Sequence, residues 1–184
     1  FDTLVQGVVF QDAAGKIISA NAAAERILGV GFDQMRGLTS ADPRWRAVRE
    51  DGSELPAEEH PIVVALRTGR EVRGVVHGVH NPQRQRTVWV RVTAVPLFRE
   101  GETRPYQAYA TLEDITEIRA TAAVLRESEE KYRALFAQST QGAYLHDLDG
   151  RIVDVNAVAC QQSGFTREEL LRRTVFDHLP QTPD

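Results

Sequence analysis

Gly7-Val8-Val9-Phe10-Gln11-Asp12-Ala13-Ala14-Gly15-Lys16-Ile17-Ile18-Ser19-Ala20-Asn21-Ala22-Ala23-Ala24 carries three local signals in succession. Gly7–Gln11 is a short apolar run that reads as a strand, and Asp12-Ala13-Ala14-Gly15 is a turn whose glycine accepts φ > 0. Lys16–Ala20 is the returning strand of a hairpin. Asn21 then stands in the N-cap position of the Ala-rich helix Ala22–Leu28, and Gly29 stops it.

The same order recurs. Shifted by 135 positions, residues 1–39 lie on 136–174 without a gap, with 11 identities in 39; chance gives about two or three. Phe1 meets Phe136, Gln6-Gly7 meets Gln141-Gly142, Asp12 and Gly15 meet Asp147 and Gly150, and Ile17 meets Ile152. Asn21-Ala22 meets Asn156-Ala157, Ala24 meets Ala159, Gly29 meets Gly164 and Thr39 meets Thr174. In the second copy Asn156 is expected to cap Ala157–Ser163, and Thr166 with Glu169 forms a capping box for another short helix.

Beyond the shared half, Asp42–Pro56, with Pro43, Trp45, Gly52 and Pro56, reads as irregular. Ala57–Thr68 reads as one helix with an acidic first turn, apolar Ile62, Val63 and Leu66 on one side, and Gly69 as its stop. Three strands are expected at Glu71–Val79, Thr87–Phe98 and Tyr106–Glu113, separated by turns at Asn81-Pro82 and Glu100-Gly101. In the middle one, Val88, Val90, Val92 and Ala94 share one face, and Trp89, Arg91 and Thr93 the other. Trp89 is placed to cover a dimer contact or the exit helix, or to pack within the sheet. Two strands, a block of helices, then three strands make an α+β domain on a five-stranded antiparallel sheet.

From Asp114 to about Ser139 the pattern is helical. Asp114 and Glu117 form a capping-box variant at its start. Ile118, Thr121, Leu125, Ser128, Tyr132 and Leu135 follow a heptad seam, and Glu127, Glu129, Glu130, Lys131 and Arg133 lie between them. Thr and Ser weaken the seam, so a helix packed on a sheet and a parallel dimeric coiled coil are both open.

The chain has 184 residues, 42% hydrophobic and 26% charged, as in ordinary folded proteins. Its 22 basic and 26 acidic side chains give a net charge of −4, which argues against a general nucleic-acid surface. A single cysteine, Cys160, excludes an intrachain disulfide and a Cys-based zinc site, and suits a reducing, cytoplasmic compartment. No apolar run reaches the roughly 18 residues of a membrane span, so no membrane contact is expected. The chain begins at Phe1 and reads as a fragment of something longer.

Catalytic constellations are absent. Gly69, Gly74 and Gly78 do not form a phosphate loop, because they do not sit at a strand-to-helix turn. Asp147-Leu148-Asp149-Gly150 starts like a calcium loop, but Val158 stands where its bidentate Glu belongs, so it is a hairpin turn. His77 and His80, an odd separation apart in a strand, fall on opposite faces and cannot share an ion. No metal site follows. Cys160 reads as a small buried thiol. Glu58-Glu59-His60-Pro61 reads as an exposed first turn, with His60 facing solvent.

Taken together, these stretches resemble a PAS domain, the sensor module of bacterial signalling proteins. The resemblance is carried by Gly7–Phe10, Gly15–Ala24, Leu28-Gly29, Trp89–Leu97 and the closing Asp114-Ile115-Thr116. Glu127–Phe136 is similar to the lead-in helix of a following PAS domain, and Gly164–Leu170 to a common PAS segment. The resemblance implies a PAS fold: a five-stranded antiparallel sheet with helices on one side, a long connector helix, and an incomplete second copy. The expected division is a complete domain over 1–116, a connector over 117–135, and the first half of a second domain over 136–184. That second half is expected to be the least stable part, or to lean on a partner, because its hairpin leaves sheet edges and apolar faces uncovered.

The resemblance further implies a non-catalytic sensory and dimerisation module. Asp114 and Thr116 would be the hinge through which the last strand drives the exit helix, satisfying orphan N–H groups at its start. Output would come from a C-terminal histidine kinase or cyclic-di-GMP enzyme outside this chain. The candidate pocket residues are Val9, Ile27, Trp45, Ile62, Val63, Leu66, Val76, Val90, Val92 and Leu112. They line either a small-molecule site or simply the core of a ligand-free interaction domain. A homodimer through the exit helix or the sheet face is the expected assembly. His60 lies close to where haem-binding PAS oxygen sensors place their iron ligand, which makes it the candidate for a haem reading. The flavin-binding LOV subfamily needs a cysteine in an Asn-Cys-Arg-Phe-like motif, which this chain lacks.

Overall fold

The computed structural model describes residues 6–42 and 45–178; Phe1 of the repeat and Pro43 of the irregular segment lie outside them. The chain folds as two compact units, one within Phe1–Ala120 and one within Thr121–Asp184.

In the first unit, β1 (Gly7–Asp12) and β2 (Ile17–Ala20) form the expected hairpin. The Asp12 carboxylate accepts the N–H groups of Ala14 and Lys16, each at 2.9 Å, which closes the turn. Helix α1 (Ala22–Leu28) is capped by Asn21, whose Oδ1 accepts the Ala24 N–H at 2.9 Å. Gly29 ends it in the left-handed conformation, φ 71°, and any side chain there would strike Asn81. Asn81 needs that space, because its Nδ2 donates to the last carbonyls of α1, at Arg26 and Ile27. Helix α2 (Phe32–Met35) follows.

The stretch read as irregular contains a two-residue strand, β3 (Ala47–Val48), paired antiparallel with Val79 and Gly78. The helix read over Ala57–Thr68 is two pieces: a 3-10 turn at Ala57–Glu59 and helix α3 (Pro61–Thr68). The break falls at His60, whose ψ of 133° is extended, as the steric demand of a following proline requires. Strands β4 (Val72–Asn81), β5 (Arg86–Leu97) and β6 (Gln107–Asp114) complete the sheet.

The strand order is β2-β1-β6-β5-β4-β3, antiparallel throughout. It is the expected five-stranded sheet with β3 added at one edge. Val88, Val90, Val92 and Ala94 of β5 are at most 2% exposed and form the centre of the core with α1 and α3. Each such valine contributes on the order of 1.5–3 kcal/mol of burial.

Helix α4 covers Thr116–Gln138. The second unit holds a two-stranded sheet, β7 (Tyr144–His146) with β8 (Ile152–Val155), then α5 (Ala157–Ser163) and α6 (Arg167–Leu170). Asn156 caps α5, and Thr166 and Glu169 make the full reciprocal box on α6. Among the described residues, no helix is long and apolar enough to cross a membrane.

Candidate functional site

The inner face of the first unit's sheet lines a half-open cavity of about 90 Å³. Val9 and Gln11 of β1, His77 and Val79 of β4, and Val92 of β5 form its floor, with Ala110 and Leu112 of β6 beside them. Ser40, Trp45 and the His60-Pro61-Ile62 corner close it from the helical side.

The ten candidate residues divide into three groups. Val9, Trp45, Ile62, Val92 and Leu112 stand on the cavity wall. Ile27 and Val90 are buried core, while Val63 and Leu66 pack on the core and border a separate surface groove beside Ala13–Gly15. Val76 is a correction. It pairs with Arg91 and so takes the outer face, while Val75, His77 and Val79 pair with the inward Val92, Val90 and Val88. The cause is the irregularity between Val72 and Val75, where Gly74 sits at φ 65° and shifts the alternation.

His60 is a second correction. It is half-buried, and its ring lies on that of His77, centroids 6.0 Å apart with 20° between the planes. Sequence separation hides this pair: His60 stands 17 positions before His77 and is brought to it by the corner at Pro61. Burial lowers the His77 pKa to about 4, with the facing His60 adding to the effect. Burial also lowers His60, opposed by a hydrogen bond to the Leu55 carbonyl and by Glu58. Both imidazoles are therefore neutral near pH 7.

Three buried polar atoms have no hydrogen-bond partner among the described residues: Gln11 Oε1, Trp45 Nε1 and His77 Nδ1. All three residues line this one cavity. Gln11 is held from its other end, where Nε2 donates to Ser40 Oγ at 3.2 Å. A sequence scan for acids, bases and metal spacings passes over Gln11 and Ser40, because neither belongs to such a pattern.

The cavity does not fit a haem or a flavin. Groups of that size occupy pockets of about 300–1,000 Å³, and the His60 ring is stacked on a second imidazole. Among the described residues, no group of three or more His, Cys, Asp and Glu is placed to hold a metal ion. Cys160, expected to be buried, is half-buried in α5.

The second candidate feature is the start of α4. Asp114 Oδ1 accepts the Thr116 N–H at 3.0 Å. Thr116 Oγ1 accepts the backbone N–H of Trp89 at 2.9 Å, and the Ile115 N–H donates to the Trp89 carbonyl at 2.9 Å. Thr116 was expected to cap the helix; its hydroxyl instead joins the helix start to β5, the strand adjacent to β6. Arg84 adds an ion pair to Asp114 at 3.0 Å. Partial burial pushes the Asp114 carboxyl up, but the hydrogen bonds from Thr116 and Arg84 outweigh it and hold the group below the usual carboxylate value. On the outer face, the Arg119 guanidinium lies 4.5 Å from the Trp89 ring centroid and pairs with Glu50.

Residues 1–120 match a family model described as PAS fold, and residues 130–184 match a second model of the same description. The chain is 27% identical over 153 residues to the methyl sulfide methyltransferase-associated sensor of Methanosarcina acetivorans, covering 83% of this chain and 14% of that protein. It is 23% identical to sporulation kinase E of Bacillus subtilis, covering 97% of this chain and 22% of that one. The chain thus spans less than a quarter of the length of either relative. Among solved structures, an RNA-binding light-oxygen-voltage receptor superposes with a TM-score of 0.50 at 20% identity, covering 70% of this chain and 35% of that chain.

Proposed function

Because the chain belongs to the PAS fold family, we propose that it is the sensory and dimerisation part of a cytoplasmic signalling protein, without catalysis of its own. Residues 1–116 sense, 117–135 connect, and 136–184 open a second PAS domain. The cavity under the sheet receives a small molecule, and the Asp114-Ile115-Thr116 hinge passes its state to α4.

The junction carries this reading. Ile115 and Thr116 bond to both the N–H and the C=O of Trp89, the fourth residue of β5, three residues from cavity-lining Val92. A change in β5 therefore moves the first turn of the helix directly. Helices with discrete registers pass such changes onward.

Dimerisation through α4 is supported by its exposed seam. Ile118, Leu125 and Leu135 are each about 60% exposed, at 61%, 59% and 64%. A second chain laid in parallel would cover them. The same exposure favours the second reading, a ligand-free module whose function is helix contact. For the effector, a histidine kinase leads, since one relative is a kinase and another a sensor; a cyclic-di-GMP enzyme is the alternative.

The test uses the full protein that contains this chain. Thr116→Val keeps the side-chain shape and removes the bond to Trp89; Asp114→Ala removes the carboxylate. Both are expected to leave the first unit folded while output shifts at least about fivefold, the lower end of ordinary allosteric coupling. Unchanged output and stimulus response in both variants would sink the hinge.

A further inference from the structure

Resting on the sensory reading, we propose that the cavity takes a compact, uncharged molecule of about four heavy atoms, with a hydroxyl or amide group at one end and a short hydrocarbon at the other. The recognising atoms are the three that the fold leaves unpaired. Trp45 Nε1–H can only donate, Gln11 Oε1 can only accept, and the neutral His77 ring takes either role at Nδ1. Leaving one such atom unpaired in a protein interior is costly, and native structures pair the great majority. Three around one space, with Gln11 3% and His77 6% exposed, describe a site shaped for a polar occupant.

The same wall decides charge and size. No Asp, Glu, Lys or Arg lines the cavity, and both histidines are neutral, so neither an anion nor a cation would find a counter-charge. The remaining wall is apolar, including Val9, Ile62, Val92 and Leu112, which suits a hydrocarbon end. At about 90 Å³ the space is smaller than the roughly 150 Å³ cavity known to admit benzene, which suits an occupant of about four heavy atoms.

The experiment is an NMR titration of the whole chain, read at the indole N–H of Trp45, with Trp89 on the outer face as internal control. The probes are acetamide and propan-2-ol, against acetate and the ammonium form of propan-2-amine. A ligand this small binds no more tightly than tens of micromolar, so titration runs to roughly 100 mM. Acetamide and propan-2-ol are expected to shift the Trp45 indole saturably and leave Trp89 unmoved, while the two ions do neither. Trp45→Phe, followed at the Ala110 and Val92 amides, and Gln11→Leu should each weaken acetamide about tenfold.

Failure of both neutral probes to saturate, with water alone meeting the three atoms, would overturn the proposal. So would tighter binding of acetate, or acetamide affinity indifferent to both substitutions. These results are separable from the hinge reading. If the probes fail but Thr116→Val still shifts output, the ligand class is wrong and the relay stands. If they bind and Thr116→Val changes nothing, the site stands and the relay falls.

Discussion

Asn21 and Asn156 occupy the same place in two copies of one motif. Asn21 Oδ1 accepts the N–H groups of Val8 and Ala24, both at 2.9 Å, and its Nδ2 donates to the Gln6 carbonyl at 3.0 Å. Asn156 Oδ1 accepts those of Ala143 and Ala159 at 2.9 and 2.8 Å, and its Nδ2 donates to Gln141 and Phe136 carbonyls. Each asparagine staples strand to helix while capping the helix. What surrounds the staple differs. Val9 is 6% exposed, with β6 on the far side of its strand, whereas Tyr144 at the matching position is 37% exposed and β7 pairs only with β8 among the described strands. The motif is therefore local in its form and borrowed in its stability: hydrogen bonds shape it, and the rest of a sheet must bury it.

The largest effect should come from removing the staple itself. Asn21→Ala and Asn156→Ala each strip a buried cap and leave several backbone groups unpaired, a loss of about 3 kcal/mol. The first unit rests on a core that includes the whole inner face of β5, so Asn21→Ala should remain folded with reduced stability. The buried cluster of the second comprises Ile152, Val155, Ala159 and Leu170, so Asn156→Ala should unfold it. Residue-resolved hydrogen exchange decides this. Full retained protection around Ile152 in Asn156→Ala would show that the second unit has stability the two-stranded sheet does not explain.

A second contrast is acid sensitivity. His77, with its pKa lowered to about 4, stays neutral in the folded state while the unfolded chain protonates near 6.5. The unfolded state thus binds more protons between these values, and stability rises with pH there. The His77 contribution to the stability of the first unit is complete above about pH 6.5 and falls by roughly 3 kcal/mol on going down to pH 4. Urea midpoints at pH 7 and pH 4.5 measure it, and His77→Leu should flatten most of the difference. An unchanged pH slope in His77→Leu would assign the acid loss to His60 or to carboxylates instead.

Next in size is the glycine that lets strand and helix touch. A Cβ on Gly7 would lie 2.9 Å from Ala24 Cα and 3.2 Å from Leu112 Cβ, both fixed. On Gly142 it would meet Gln162 Oε1 at 2.5 Å, the end of an exposed side chain that can swing away, and Ala159 Cα at 3.0 Å. Gly7→Ala should cost about 2 kcal/mol and Gly142→Ala about 1 kcal/mol, read as shifts in each unit's unfolding midpoint. Equal losses would mean that the Ala159 backbone, not the Gln162 side chain, sets the limit in the second copy.

Much of this was readable from residue types, because the deciding interactions span a few positions. The hairpin turns, both capping asparagines, both glycine stops and the Thr166 box are all short-range, and each stands where its residue types put it. The inward face of β5 follows from strict alternation. Reading failed where one residue changes a phase or where contacts are long-range. Pro61 breaks a helix that its apolar spacing extends, and Gly74 displaces the alternation of β4 so that Val76 turns outward. The stacking of His60 on His77, and the gathering of Gln11, Ser40 and Trp45 around one space, depend on the closed sheet. Thr116 shows the middle case: its place at the helix start was legible, its bond to Trp89 across the sheet was not.

The smallest effect tests whether the two copies cap their second helix by different means. Thr166 and Gly31 hold matching positions with nearly the same backbone, φ −70° and ψ 159° against φ −67° and ψ 152°. Thr166 caps α6 from its own side chain, with Glu169 returning the bond. Gly31 supplies none, and the first N–H of α2 is taken instead by Glu25 Oε1 from α1 at 2.6 Å. A side chain at Gly31 would meet nothing within 4 Å, so Gly31→Thr is sterically free. It should stabilise the first unit by about 0.5 kcal/mol, through a new cap and a less flexible unfolded chain. Thr166→Gly should cost the second unit a similar amount, or somewhat more because the Glu169 half of the box goes with it. The double change Glu25→Ala with Gly31→Thr is the sharper form. If local capping can replace the reach from α1, the pair restores part of the stability that Glu25→Ala removes. If it restores none, Glu25 is holding α2 against α1 rather than capping it, and the two copies differ in packing as well as in burial.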